Sequence, residues 1–269
     1  MKFNRAGLYN FIERTARRIL RPTDSVQYGW FGDYHSWVDA KSATSGYDSN
    51  LILEKVKESL LKVKNGEAVF ERDSVIFDEI YYSWGVLVGL LYQASKNEGK
   101  LQVLDFGGSL GSSYFQNKKA LSHLESLRWS IIEQDNFVLC GSKNFQNEEL
   151  AFFHNYAEFR ASRSKPDVLV LSSVVQYLED PFKLIKELLS NNISTVIIDI
   201  TTFIDEGNDI ITIQKVPPHI YDASYPAWFF NKNKFLAFFT SNGYELMGEW
   251  KFPYDLNMGY HAGMIFNKI

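Results

Sequence analysis

Small residues crowd into one stretch, Asp105-Phe106-Gly107-Gly108-Ser109-Leu110-Gly111, directly after the mainly apolar run Leu101-Gln102-Val103-Leu104. Such a run reads as a buried strand, and the glycine-dense segment as a sharp turn into a helix. Glycine there lets the backbone approach a ligand and adopt positive φ. The unpaired N–H groups of the following helix start suit a carboxylate or phosphate. Asp105, at the strand tip, repels a pyrophosphate but accepts the cationic or hydroxyl-rich parts of another nucleoside. Glu133 ends a second strand candidate, 22 residues beyond Gly111 (133 − 111). An acid at that place can accept hydrogen bonds from both hydroxyls of a ribose.

A third constellation is Asp167-Val168-Leu169-Val170-Leu171-Ser172-Ser173-Val174-Val175-Gln176-Tyr177-Leu178-Glu179-Asp180-Pro181, an apolar strand with a polar tip and an Asp-Pro helix start. Ligands of open α/β sheets bind beyond the carboxyl ends of strands, which puts Ser172, Gln176 and Tyr177 toward a cleft. Asp199, near the end of a further strand, can act as a base or bind a hydroxyl. Asp199, Asp205, Glu206 and Asp209 read as a solvated acidic segment, and no metal site is expected.

The elements that must position these groups alternate from residue 101 onward. Strands are expected at Gln102–Phe106, Arg128–Glu133, Leu150–His154, Asp167–Ser172, Thr195–Ile200, Tyr244–Trp250 and His261–Phe266. Helices are expected at Leu110–His123, Asn136–Phe145, Tyr156–Ser162, Pro181–Leu189 and Asn231–Asn242. Strands separated by helices imply parallel neighbours, whereas the last two, with no helix between them, imply an antiparallel hairpin. Residues 1–99 read as a mainly helical, aromatic N-terminal cap on a domain spanning 100–269. Within the cap, Ser49 is expected to start a helix to about Lys64, and Ser74 another from Val75 to about Lys96. The mixture Tyr28-Gly29-Trp30-Phe31-Gly32-Asp33-Tyr34-His35-Ser36-Trp37 has no period and reads as a shaped loop. Residues 1–22 suggest a basic helix whose arginines are solvated or pair with acids of the main body. The competing reading is peripheral contact with anionic lipid.

A formal net charge of −4 and pI near 5.8 oppose a general nucleic-acid binder. Cys140 is the only cysteine, which excludes an internal disulfide and a cysteine-based zinc cluster. With neither a signal-peptide core nor a membrane-length apolar run expected, the location expected is cytoplasmic. Oligomeric state is not encoded legibly.

Together the motifs resemble class I S-adenosylmethionine-dependent methyltransferases. Asp105, Gly107 and Gly111 match the first motif of that class, Glu133 its ribose acid, and Asp167 to Pro181 its fourth-strand pattern. Ser109 departs from the usual central glycine, with Gly108 beside it. The class resemblance covers Leu101 to Ile269. The aromatic N-terminal loop, the Asp-Phe-Gly-Gly form of the first motif and Tyr225-Pro226 are similar to a bacterial branch associated with surface-polysaccharide clusters.

The resemblance implies a Rossmann-like, seven-stranded, mostly parallel α/β sheet whose last strand is antiparallel, with S-adenosylmethionine as cofactor. Gly107, Gly108 and Ser109 would approach its methionine part and Asp105 its amino group. Glu133 would hold the ribose, Asn155 or Tyr156 would lie near the adenine, and Ser172 would face the cofactor. A small-molecule or sugar-linked acceptor would meet the aromatic segments, through Tyr28, Trp30 and Tyr177 and through Tyr221, Tyr225 and Trp228. Among five histidines, His219 is the first candidate base because it lies after the fifth strand, where the class places substrate contacts. His35 and then His261 follow. A nicotinamide oxidoreductase fits less well, since the second and third glycines of its loop fall on Ser109 and Ser112. A non-catalytic scaffold on the same fold is the third reading.

Overall fold

The computed structural model describes residues 28–45, 49–72, 74–217, 223–254 and 256–269. Its strands are β1 (Gly29–Tyr34), β2 (Phe70–Arg72), β3 (Val75–Phe77), β4 (Lys100–Phe106), β5 (Ser126–Ile132), β6 (Leu150–Phe153), β7 (Val168–Ser172), β8 (Thr195–Ile204), β9 (Ile210–Lys215), β10 (Ser224–Asn231), β11 (Tyr244–Lys251) and β12 (Tyr260–Lys268). The helices are α1 (Trp37–Ser42), α2 (Ser49–Lys64), α3 (Trp84–Lys96), α4 (Ser112–Asn117), α5 (Asp135–Asn144), α6 (Tyr156–Ser162), α7 (Pro181–Leu189) and α8 (Lys232–Ser241).

The seven strands expected from the sequence are all present, in the order β6-β5-β4-β7-β8-β12-β11. Strands β6 to β8 are parallel, β12 runs antiparallel to β8, and β11 pairs antiparallel with β12. This is a Rossmann-like, mostly parallel α/β sheet. From β4 the chain proceeds outward through β5 and β6, then returns to continue on the other side through β7 and β8. The order therefore reverses between β4 and β7, and a crevice opens beyond their carboxyl ends.

Near-continuous apolar strands such as Val168-Leu169-Val170-Leu171 are buried on both faces. One face packs against α2 to α5, centred on Leu90, Leu101, Trp129 and Ile197. The other packs against α6 to α8, centred on Leu169, Ile198, Phe235 and Phe239.

Three strands extend the seven, giving ten in the sheet. The tip of β8, Phe203 and Ile204, pairs parallel with β10, and β10, β9 and β1 continue as antiparallel neighbours. The segment expected as a shaped loop is thus largely strand β1 and helix α1, with Ser36 capping α1 by accepting from the Asp39 N–H at 3.1 Å. Its pairing partner β9 is distant in sequence, so no local period announced it.

The helix expected from Ser74 is corrected as well. Ser74 has φ of +67° and forms part of the turn joining β2 to β3, and the helix begins only at Trp84. Residues up to 99 therefore contribute a two-stranded hairpin and one strand of the main sheet besides helices. Helix α3 lies directly on the sheet, where Gly89 meets Ile197 so closely that a Cβ would stand 2.6 Å from its Cδ1.

Phe266 is buried and stacks on Phe239 with ring centroids 3.9 Å apart. Phe266→Ala is expected to cost about 3–5 kcal/mol of stability, measured by urea denaturation. A loss below ~1.5 kcal/mol would show that this stack is not a keystone of the second core.

Candidate functional site

A cleft of about 1270 Å³ lies beyond the carboxyl ends of β4, β5 and β7, at the point where the strand order reverses. Its floor is the glycine turn. Gly107 has φ of +72° and faces Val174, which any side chain at 107 would strike. A Cβ on Gly108 would stand 2.6 Å from the Asp105 carboxyl. Ser109 takes a left-handed conformation, φ +54°, without being glycine. Gly111, φ +105°, turns the chain into α4 behind the cleft, close to Leu150.

Asp105 is almost wholly buried and accepts a hydrogen bond from Trp129 Nε1 at 3.0 Å. Burial pushes its carboxyl up to about 7 and the Glu133 charge adds to this, while the Trp129 hydrogen bond and the Arg72 charge pull it down. Glu133 accepts from the Ser109 N–H at 3.2 Å and the Gln134 N–H at 2.7 Å, which clamps it to the glycine turn. Its carboxyl is also raised by burial. A carboxylate offers about four acceptor positions, so two backbone donors leave room for a diol. Beyond Glu133 the wall continues through Asn155, which caps α6 by accepting from the Glu158 N–H at 2.9 Å, and Tyr156. The Tyr156 hydroxyl is buried without a partner, an orphan polar atom at this end of the cleft.

The opposite half is aromatic and amide-lined. Tyr177 donates to Gln214 Oε1 at 2.8 Å, and its ring meets that of Tyr225 edge to face at 5.2 Å. Trp37 and Lys41 from α1 close the rim.

Between the halves stands Arg72, delivered by the β2–β3 hairpin. Its Nη2 donates to Ser172 Oγ at 3.2 Å, and Ser172 donates in turn to Asp199 Oδ2 at 3.1 Å. Ser83, at the start of α3, donates to Asp199 Oδ1 at 3.0 Å. Asp199 thus lies behind Ser172 rather than on the open wall. Burial raises its carboxyl, and the Arg72 charge leads the influences that lower it.

A β-bulge sets this up. Asp199 and Ile200 together oppose Gly263, and Ile200 takes φ of +46°, a strained value for a β-branched residue. Neighbouring Glu71 fixes the same hairpin by accepting from Ser112 Oγ and the Ser74 N–H.

The structure therefore gathers Asp105, Gly107, Gly108, Ser109, Glu133, Asn155, Tyr156, Ser172, Tyr177 and Tyr225 around one cleft. The other expected site residues fall elsewhere. Trp228 stacks on Trp37 and donates from Nε1 to the Leu178 carbonyl at 3.0 Å, bracing the wall from behind. Trp30 packs against Phe229 and His261. Tyr28 precedes β1, and His35 is exposed at the β1–α1 turn, off the cleft wall. His219 and Tyr221 lie outside the described residues, as do residues 1–22.

Of the acidic segment, Asp199 is buried in β8, Asp205 accepts from the Tyr260 hydroxyl, and Asp209 accepts from the Asn231 N–H at 2.7 Å. Among the described residues no group of three or more His, Cys, Asp or Glu side chains could hold a metal ion.

Sequence reasoning missed Arg72, Trp129 and Gln214, whereas Trp37 was included in the aromatic segment expected to meet the acceptor. None of the three belongs to a motif, and strands as short as β2 carry no readable period. Trp129 alone left a signal, as a large indole in an otherwise aliphatic strand whose N–H requires a buried partner.

No family model matches the chain. No curated protein matches it either. Among solved structures it is similar to LepI in complex with SAM, at 11% identity and TM-score 0.46, covering 67% of this chain and 46% of that one. The chain thus spans about half the length of LepI. It is also similar to magnesium protoporphyrin IX methyltransferase (ChlM) from Synechocystis PCC 6803 with bound SAM, at 12% identity and TM-score 0.47, covering 84% and 99%. A third is the N-terminal domain of EvdMO1 in the presence of SAH and D-fucose, at 12% identity and TM-score 0.45, covering 82% and 97%. Likeness at this level leaves the chemistry of the cleft to its own residues.

Asp105 makes stability depend on pH. The folded carboxyl titrates near 7, whereas the unfolded one titrates near ~3.9. Between these values the folded protein keeps a proton that the unfolded chain releases, so stability falls as pH rises and levels off above the folded value. Asp105→Asn is expected to flatten that slope, measured by urea denaturation from about pH 4.5 to about pH 7.5. An unchanged slope would place Asp105 in an ordinary ionised state.

Proposed function

We propose that the protein is an S-adenosylmethionine-dependent methyltransferase that transfers the methyl group to an oxygen of a small or carbohydrate-linked acceptor, of the kind assembled in bacterial surface polysaccharides. The observation that carries the reading is the joined pair Asp105 and Glu133 flanking a glycine turn whose backbone is left bare. The cleft fits the cofactor on three counts. A Cβ at Gly107 or Gly108 would fill the cradle, two carboxylates stand where an ammonium and a diol would be held, and the orphan Tyr156 hydroxyl awaits a polar partner.

S-adenosylmethionine, when bound, supplies a methyl group activated by its sulfonium. The rest falls to this chain. Asp105 accepts from the ammonium, and Glu133 accepts from the ribose hydroxyls while its backbone donors hold it to the turn. Tyr156 and Asn155 border the base. Ser172 and Tyr177 mark the boundary between donor and acceptor halves, and the aromatic walls at Trp37, Tyr177 and Tyr225 suit the face of a sugar ring.

Transfer between two held partners draws mainly on alignment, which a preformed cleft provides. An oxygen acceptor must also lose its proton. His219 remains the first candidate base on the sequence argument, with His35 and Asp199 behind it. Asp199 already accepts from two hydroxyls, which weakens its claim as a base.

Calorimetry with S-adenosylmethionine, its demethylated product and NAD tests the donor. Binding of the first two is expected, weakened about tenfold or more by Glu133→Gln, whereas binding of NAD alone would sink the reading. For the acceptor, mass spectrometry should detect a gain of one methyl on candidate sugars. His219→Ala should lower that turnover by about a hundredfold without altering cofactor affinity. Unaltered turnover would remove His219 from the mechanism.

A further inference from the structure

Arg72 lines the cleft at the boundary between its two halves, bonded to Ser172 at the tip of β7. A guanidinium presents several N–H donors in one planar fork. Among the described residues a single bond engages that fork, from Nη2 to Ser172 Oγ at 3.2 Å. Arg72 belongs to no ion pair among those residues. A cation on a cleft wall with the rest of its donors uncommitted suits an anionic ligand.

Its placement is fixed from two directions. Ser172, which accepts from Arg72, donates to Asp199 Oδ2, and Ser83 donates to the other oxygen of that acid. On the hairpin itself, Phe70 and Phe77 stack with ring centroids 5.6 Å apart, and Ser59 donates to the Ser74 carbonyl at 2.8 Å. Glu71 ties the same strand to Ser112 at the start of α4. Both the backbone that carries Arg72 and the hydroxyl that anchors its fork are thus in place before a ligand arrives, which lowers the ordering cost of binding.

The acids nearby leave the charge available. Neither Asp105 nor Asp199 is an ion-pair partner of Arg72, and burial, the leading influence on each, raises both carboxyls. An acid that tends to keep its proton is a poor counter-ion. The surroundings also set the charge of the ligand. A carboxylate brings one negative charge to one guanidinium, and its two oxygens match the planar fork. A phosphate dianion would add a second charge beside Asp105 and Glu133, where it is unwelcome.

Two molecules can bring that carboxylate. The methionine part of the donor holds its ammonium and its carboxylate on one carbon, so an ammonium at Asp105 leaves the carboxylate to a neighbouring cation. An acceptor that reaches the boundary from the opposite half meets the same fork. We propose that Arg72, anchored through Ser172, is a carboxylate-binding residue of the cleft. With the donor as source the site rests on the methyl-transfer reading, whereas with an acceptor as source it rests on the cleft alone.

Calorimetry on the full chain compares the demethylated cofactor product with its decarboxylated form, which keeps the nucleoside, the thioether and the ammonium. With the donor as source, the unmodified protein binds the product about tenfold more tightly, and Arg72→Gln brings the two within about twofold by weakening the product alone. Arg72→Lys keeps the charge without the fork and should cost about threefold for the product alone, which decides the matter if the Gln variant does not fold. Saturation-transfer NMR with D-galactose and D-galacturonate, on the protein with and without product, reads an acceptor as source. The D-galacturonate signal then exceeds that of D-galactose and falls to its level in Arg72→Gln. A carboxylate preference lost with Arg72 in either arm supports the site and names the source. No preference in either arm, a preference that both variants keep in full, or equal weakening of carboxylated and carboxylate-free ligands would overturn it. Failure of the unmodified protein to bind either nucleoside would overturn the methyl-transfer reading, and the sugar arm without product would still decide for or against Arg72.

Discussion

Two carboxyl groups, Asp105 near the carboxyl end of β4 and Asp199 midway along β8, are about 99% buried, each with 1% exposure. Burying an acid is costly unless donors surround it, and much of the molecule around the cleft supplies them. Trp129 reaches across from β5 to Asp105, while Ser83 from α3 and Ser172 from β7 serve Asp199. Arg72 contributes its charge to both. The hairpin that delivers Arg72 is itself tied to the start of α4 through Glu71 and Ser112. Elements from the β2–β3 hairpin to β8 are thus held in one place by the needs of two buried acids.

The same demand explains the local strain. A regular β8 would alternate its side chains without interruption, and Asp199 would then compete with packing against Gly263 and the Trp250 ring that covers it. The bulge at Asp199 and Ile200 re-aims the acid toward Ser83 and Ser172. Its cost in backbone strain at Ile200 is offset in part by Gln176, whose amide donates to the Ile200 carbonyl at 3.0 Å. Strained backbone tends to persist where surrounding contacts over-determine it, and the junction of β7, β8 and the cleft is such a place.

How much of this was legible in the sequence depends on whether the signal was local. The glycine turn, Asp105, Glu133 and the tip of β7 could be read because a strand, its turn and the next helix are contiguous. The seven strands followed from the same alternation of β and α. The β1–β9–β10 extension was not legible, since β1 pairs with a strand nearly two hundred positions away and its Trp30, Gly32 and Tyr34 show no clean alternation. Strand β3 was read as the start of a helix because Ile76 and Ile80 fit a helical period by chance, and nothing local revealed the left-handed turn at Ser74 within the β2–β3 hairpin. Arg72 lies in that hairpin. It falls between the two expected helices, in a strand of three residues too short to show a period, so the cation of the site went unread with its element.

The division between what could and could not be read has a physical basis in the cleft itself. The half of the cleft that the proposed function gives to the donor rests on strand tips of the core sheet, where backbone geometry dictates residue type and leaves a motif. The opposite half of the cleft, where the proposed function puts the acceptor, is built on the added strands and on α1, and Trp37, Gln214 and Tyr225 meet there only through long-range pairing. Side chains there are constrained by packing and by the acceptor, not by a turn, so many residue types would satisfy the backbone. A cleft built this way can keep the half lined by strand tips while the half lined by its added strands is rewritten. Only the buried acids limit that freedom, because the Arg72 charge acts on both Asp105 and Asp199, and Arg72 thereby fixes the boundary between the two halves.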